Sequence, residues 1–209
     1  MTATASNTWF DHHFAGQPLM AILRGFGTAR SLELATTAWN LGIDIVEIPI
    51  QSPLDLEALA ATAALGRERG KPVGAGTVIL PAHVQEAGDA GAAFTVSPGL
   101  DPEIVRESLD AGLPTLPGVA TASEIQRAVA LGLDWVKAFP ASALGPGWFS
   151  AMRGPFPGVK LVGTGGLHAS NAGAFLEAGA RVVAVGSALE DVAQLSLLAR
   201  FLPARADGS

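Results

Sequence analysis

Asp134-Trp135-Val136-Lys137-Ala138-Phe139-Pro140 is a short apolar, aromatic run that stops at a proline. Runs of this kind form parallel strands buried on both faces. One lysine interrupts it, and lysine is among the residues least often buried without a partner. Two explanations compete. The side chain is held in an ion pair or reaches a rim, or its amine is kept uncharged to attack a carbonyl.

Working outward, the same pattern recurs. Strands are expected at Met20–Gly25, Asp44–Ile50, Pro72–Val78, Ala92–Ser97, Leu113–Pro117, Asp134–Phe139, Val159–Gly163 and Arg181–Gly186. Helices are expected between them at Ser31–Leu41, Leu54–Arg69, Pro81–Ala90, Pro102–Ala111, Ala122–Leu131, Gly147–Met152 and Ala169–Ala178, with Ala188–Phe201 last. The strands recur roughly every two dozen residues. Several joints share one signature, a helix end, a glycine and then a strand: Leu41-Gly42, Ala90-Gly91, Ala111-Gly112, Leu131-Gly132 and Ala178-Gly179. Repeated strand–helix units imply a parallel sheet with right-handed crossovers, and eight of them close into a compact α/β fold, the (β/α)8 TIM barrel. An open doubly wound sheet is the alternative. No linker breaks the rhythm, so residues 1–209 read as one domain, with a barrel from about 19 to 201 and a frayed tail over 204–209. A short helix at Thr8–Gly16 precedes the barrel, with Trp9, Phe10 and Phe14 on its apolar face. Its Asp11, His12 and His13 point in different directions and read as surface residues rather than metal ligands.

Composition narrows the function classes. The chain has 209 residues, 49% hydrophobic and only 15% charged, so disorder is not expected, and such sparse charge suits a surface covered by a partner subunit. A net charge of −6 argues against nucleic acid or an anionic membrane as partner. With no cysteine, thiolate catalysis and cysteine metal sites are excluded. No signal-peptide pattern or membrane-spanning apolar run is read, so the expected location is cytoplasmic.

In this barrel class the chemistry lies at the C-terminal strand ends. The polar residues there are Arg24, Glu47, Gln51, Thr77, Ser97, Lys137, Thr164 and Ser187. Glu47 and Lys137 are titratable and mid-strand. Strand alternation places Glu47 opposite in facing to Ile48 and Ile50, which suit the outer helices, so Glu47 and Lys137 are expected to point into the barrel. A buried pair serving stability alone is the plain alternative, though desolvation offsets most of its attraction. Thr164-Gly165-Gly166 and Gly186-Ser187 follow the last two strands, where backbone N–H groups of such barrels meet phosphate. No constellation of histidines and acids suits a metal.

Val46-Glu47-Ile48-Pro49-Ile50, Gly74-Ala75-Gly76-Thr77-Val78, Ser97-Pro98-Gly99-Leu100, Pro117-Gly118, Lys137-Ala138-Phe139-Pro140-Ala141, Thr164-Gly165-Gly166 and Gly186-Ser187 fall in order along the chain. Together they resemble the class I 2-keto-3-deoxy-6-phosphogluconate and 6-phosphogalactonate (KDPG and KDPGal) aldolases, from about Leu19 to Ala188. The resemblance implies a homotrimeric barrel that cleaves a phosphorylated 2-keto-3-deoxy sugar acid to pyruvate and glyceraldehyde 3-phosphate. Many members also cleave 4-hydroxy-2-oxoglutarate. It implies Lys137 as the Schiff-base lysine and Glu47 as general acid/base. Thr77, Pro98 and Phe139 would line the pyruvate pocket, and Gly165, Gly166, Gly186 and Ser187 would hold phosphate. It implies no metal and no cofactor. Trp135 and Phe139 would give the lysine an apolar wall that disfavours its ammonium form.

Two positions depart from the gluconate-type pattern or mix the subtypes. Where gluconate-type members carry an arginine after the second strand, this chain has Gln51; like galactonate-type members it carries Arg24 at the end of strand one, suited to bind the substrate carboxylate. Thr164, by contrast, resembles the gluconate type and would lie near C4, where the two sugar acids differ. A non-catalytic phosphosugar-binding barrel and a thiamine-phosphate synthase-like transferase are the competing functions.

Overall fold

The structure is a computed structural model that describes residues 1–203; the expected tail at 204–209 lies outside the described residues. Its centre is one parallel sheet: β1 (Leu19–Ile22), β2 (Val46–Pro49), β3 (Val73–Gly76), β4 (Thr95–Val96), β5 (Thr115–Leu116), β6 (Gly118–Val119), β7 (Trp135–Ala138), β8 (Lys160–Gly163) and β9 (Ala180–Val185). The spatial order is β5-β4-β3-β2-β1-β9-β8-β7-β6. The expected fifth strand, Leu113–Pro117, holds only β5; past Pro117, which has no N–H to give to a ladder, the barrel continues in a second piece, β6, that was not expected. Those pieces close the barrel. Thr95 and Ser97 donate to the Pro114 and Leu116 carbonyls on one side, and Lys137 and Phe139 donate to Pro117 and Val119 on the other.

Helices α2 (Gly27–Leu41), α3 (Pro53–Arg69), α4 (Pro81–Asp89), α5 (Pro102–Asp110) and α6 (Ala122–Ala130) follow the first five barrel strands, counting β5 and β6 as one. Local chemistry starts and stops them. Ser52 accepts from Asp55 N at the head of α3, with Pro53 in the first turn and Gly70 left-handed at the end. Thr121 and Glu124 form a capping box on α6. Four expectations about the barrel helices need correction. Helix α2 begins at Gly27 rather than Ser31. The helix after β7, α7, runs Ala141–Arg153 rather than Gly147–Met152, with a break at Gly145 ahead of Pro146. The next, α8, spans only Ala172–Glu177. The last is split: a 3-10 turn at Ser187–Glu190, then α9 (Val192–Leu198) capped by the Asp191 side chain, then a second 3-10 turn at Ala199–Phe201.

Strand alternation sorts the core into two layers. Val46, Ile48, Ile50, Val136 and Ala138 pack outward against the helices, in the expected direction. Met20, Ile45, Phe94, Leu116, Trp135, Val162 and Val182 fill the barrel's lower interior, joined there by Phe10 and Phe14. Those two phenylalanines come from α1 (Ala3–His13), which starts earlier than the expected Thr8. The helix is a plug held by polar side chains. Asn7 donates to the Gly132 carbonyl and accepts from Asp134 N, both at 2.9 Å. Ser6 accepts from Thr115 N. Asp11 lies at the surface as expected, and there it accepts from Trp135 Nε1 at 3.0 Å and pairs with Lys160. Among the described residues no helix is long and apolar enough to cross a membrane.

Candidate active site

A step of two residues along each strand turns the apolar interior into a polar mouth. Above Met20 comes Ile22 and then Arg24; above Ile45, Glu47; above Trp135, Lys137 and Phe139; above Val162, Thr164 and Gly166; above Val182, Ala184 and Gly186. Within the strands the fixed period of two makes Ile22, Glu47, Lys137 and Ala184 face inward; Arg24, Phe139, Thr164, Gly166 and Gly186 lie just past the strand ends. Of these, Arg24, Lys137, Phe139, Thr164, Gly166 and Gly186 meet in a cavity of about 560 Å³ that Thr77, Pro98, Gly165 and Ser187 also line. That volume suits a small-molecule ligand.

Lys137 lines this cavity and is 3% exposed; Glu47, 0% exposed, is not among the lining residues and lies buried beside Lys137. Lys137 Nζ stands 3.8 Å from Glu47 Oε1, too far for a hydrogen bond. Neither Glu47 carboxylate oxygen has a hydrogen-bond partner among the described residues. A pair retained for stability alone would need good geometry and satisfied lone pairs to offset desolvation. This pair has neither, which favours the functional reading over the structural one. The carboxylate fits only because Gly76 of β3, the register partner of Pro49, has no side chain: a Cβ there would lie 2.0 Å from Glu47 Oε1. Gly118, the register partner of Lys137, is needed for a similar reason, since its Cβ would lie 2.1 Å from the Pro98 carbonyl oxygen. That close approach brings Pro98 to the cavity wall.

The wall beside Lys137 differs from the expected one. Phe139 presents its ring 5.2 Å from Nζ. Trp135 is engaged at the opposite end, where its ring packs on Phe10 and Phe14 and its Nε1 reaches Asp11. Two residues along a strand span about 6.6 Å, which separates the two rings' neighbourhoods.

Arg24 stands just beyond β1 at the rim. Its Nη1 donates to Gln51 Oε1 at 2.5 Å and to Thr77 Oγ1 at 3.3 Å. Gln51 itself is not among the residues lining the cavity. Thr77 has φ +58°, a left-handed conformation costly for a β-branched residue and concentrated at functional sites. Thr164 is 1% exposed, and its Oγ1 has no hydrogen-bond partner among the described residues.

The glycine cradle lies across the mouth. Gly165 and Gly166 have φ +95° and +71°, which any Cβ would strain. Ser142 N donates to the Gly165 carbonyl at 3.0 Å, fixing the turn to the start of α7. Gly186 and Ser187 open the 3-10 turn beside it, after the neighbouring β9.

Ile22, Phe26, Leu167, His168 and Ala184 also line the cavity and were not anticipated. Ile22 and Ala184 could have been found, since each lies two residues before an anticipated one. Phe26 and His168 sit in loops, where no periodicity points to them. Among the described residues no cluster of three or more His, Asp or Glu suits a metal ion.

A family model described as KDPG and KHG aldolase matches residues 11–197. A protein named probable 2-dehydro-3-deoxy-6-phosphogalactonate aldolase, from Rhizobium meliloti, is 34% identical over 174 residues, 83% of this chain and 82% of that one. The 2-dehydro-3-deoxy-phosphogluconate aldolase of Treponema pallidum is 40% identical over 159 residues, 75% of this chain and 73% of that one. The crystal structure of KDPG aldolase from Legionella pneumophila, with pyruvate captured at low pH as a covalent carbinolamine intermediate, matches at TM-score 0.77 and 29% identity, covering 90% of this chain and 94% of that one. Fold, site and relatives together define a carbon–carbon lyase built on a (β/α)8 barrel. The chain belongs to the KDPG and KHG aldolase family.

Proposed function

We propose that this aldolase cleaves 2-keto-3-deoxy-6-phosphogluconate or its galactonate epimer to pyruvate and glyceraldehyde 3-phosphate, through a Schiff base on Lys137. The observation that carries the proposal is the buried Lys137–Glu47 pair, 3.8 Å apart and lacking the hydrogen bonds of a structural ion pair.

Lys137 Nζ adds to the C2 carbonyl, and loss of water leaves an iminium. The iminium draws in the C3–C4 bonding electrons as Glu47, directly or through a water, takes the C4 hydroxyl proton. The aldehyde departs and an enamine remains. Glu47 returns a proton to C3, and water releases pyruvate from the lysine. Arg24 binds the substrate carboxylate; Thr77, Pro98 and Phe139 enclose the pyruvyl part; Thr164 meets the C4 hydroxyl. Gly165, Gly166, Gly186 and Ser187 hold the phosphate through backbone N–H groups. The iminium is itself the electron sink, so the scheme calls for no metal or cofactor. The same pyruvyl subsite would accept 4-hydroxy-2-oxoglutarate.

The proposal includes one catalytic domain, a cytoplasmic setting where a charged phosphorylated substrate is retained, and a homotrimer. Leu54, Ile79 and Leu80 stand 67%, 51% and 52% exposed in and beside the loops after β2 and β3, apolar surface that suits a second copy. Sedimentation of the purified protein checks the subunit number.

Borohydride reduction in the presence of pyruvate tests the chemistry. The parent should gain a pyruvyl adduct by mass, and Lys137→Ala should not. An unmodified parent would refute the Schiff base. Cleavage rates on the two C4 epimers then assign the sugar acid.

A further inference from the structure

We infer that Gln51 is a positioning residue for the Arg24 carboxylate clamp, an inference that rests on the aldolase reading above. Gln51 lies outside the cavity lining, yet its side chain is committed: its Oε1 accepts from Arg24 Nη1 at 2.5 Å. The same nitrogen reaches Thr77 Oγ1 at 3.3 Å. A guanidinium offers five donors in a rigid fork. Gln51 and Thr77 engage one terminal nitrogen, and the Nε–Nη2 edge stays available for a bidentate carboxylate.

The support for Gln51 is itself built. Asp55 Oδ2 accepts from Gln51 N at 3.1 Å and from Ser52 Oγ at 2.8 Å, while Ser52 Oγ accepts from Asp55 N. The first turn of α3 therefore fixes the Gln51 backbone, and the Gln51 side chain fixes the arginine. The amide matters as much as the position. A neutral oxygen orients the guanidinium and leaves its full charge for the substrate, whereas a carboxylate at 51 would pair with it and compete.

Four proteins test this: the parent, Gln51→Leu, Arg24→Ala and the double variant. Borohydride trapping over a pyruvate series gives half-saturation, and the cleavage assay gives kcat and KM. Gln51→Leu should raise half-saturating pyruvate and substrate KM by about tenfold, the lower end for a hydrogen bond to a charged group at an exposed site. Its kcat at saturation should stay within about twofold of the parent. In the Arg24→Ala background the same substitution should change nothing further, since its only effect runs through the arginine. Thermal melts confirm that the exposed substitution leaves folding intact. Unchanged half-saturation in Gln51→Leu would overturn the inference. So would an undiminished Gln51 effect without Arg24, which would mean that the amide touches the substrate itself. Absence of adduct in the parent is a separate result, and it would overturn the aldolase reading and this inference with it.

Discussion

Replacing Gly76 by alanine should disable proton transfer while leaving Schiff-base formation in place. Gly76 ends β3 in extended backbone without a positive φ, so alanine is conformationally acceptable and only the added methyl acts. That methyl would lie 2.0 Å from Glu47 Oε1, 2.7 Å from its Cδ and 2.8 Å from its Cγ. Ordinary van der Waals contact begins near 3.4 Å, so the whole end of the side chain must retreat, its oxygen by more than an ångström. A fully buried side chain has little room to do so. Misplacing a reacting group by about 1 Å costs about 10²-fold in rate, and overpacking costs about 1–3 kcal/mol of stability. The melting temperature should therefore fall by several degrees. Steady-state cleavage should show kcat down about a hundredfold, while borohydride still traps the pyruvyl adduct on Lys137. A Gly76→Ala enzyme with kcat within about threefold of the parent would refute the reasoning, because Glu47 would then be displaceable without consequence.

Glu47→Gln keeps the shape and removes the base. Its kcat should fall by about 10²–10⁴ with adduct formation retained, as mass spectrometry of the trapped protein would show. Asn7→Ala removes both hydrogen bonds that tie α1 to Gly132 and Asp134 and should cost about 1–3 kcal/mol, read as a lower urea midpoint with KM unchanged. Glu124 is held below the ordinary carboxylate range, chiefly by the Ala120 N–H, with Thr121 adding and burial opposing. A depressed folded value contributes stability above the unfolded value and loses it as pH falls through the folded one. Glu124→Gln should therefore be less stable near neutrality and lose less on acidification, in acid-unfolding curves taken below about pH 5.

The barrel was legible because its strands obey a period of two. Glu47 against Ile48 and Ile50, and Lys137 against Val136 and Ala138, sort by polarity in the sequence itself. What escaped were residues whose partners are distant in sequence. Ser6, Asn7 and Asp11 look like ordinary surface polarity until Thr115, Gly132, Asp134 and Trp135 come into reach. For that reason α1 was expected to begin only where its aromatic residues begin. Pro117 reads as a strand end, yet the barrel resumes beyond it as the two-residue β6. The last helix breaks at Asp191, whose side chain caps a new helix instead of continuing the old one. At the site, Lys137, Glu47 and the glycine turns could be read from strand ends. The Gln51–Arg24 contact could not, because it joins two loops 27 positions apart. Parity puts Trp135 on the lysine's face, but its indole is drawn to the other end by Asp11 and the phenylalanines of α1.

The plug formed by Phe10 and Phe14 makes the barrel a blind well with a single mouth. Traffic through a blind well has to queue. On the proposed scheme, the keto-acid end of a substrate, bound for Lys137, goes in first and comes out last, and the phosphorylated aldehyde, nearer the rim, leaves first. Run in the synthetic direction, the queue reverses. Pyruvate must be seated before the aldehyde arrives, and aldehyde phosphate that enters an empty well stands in its way. Carbon–carbon bond formation by this protein should accordingly show inhibition by high aldehyde that added pyruvate relieves.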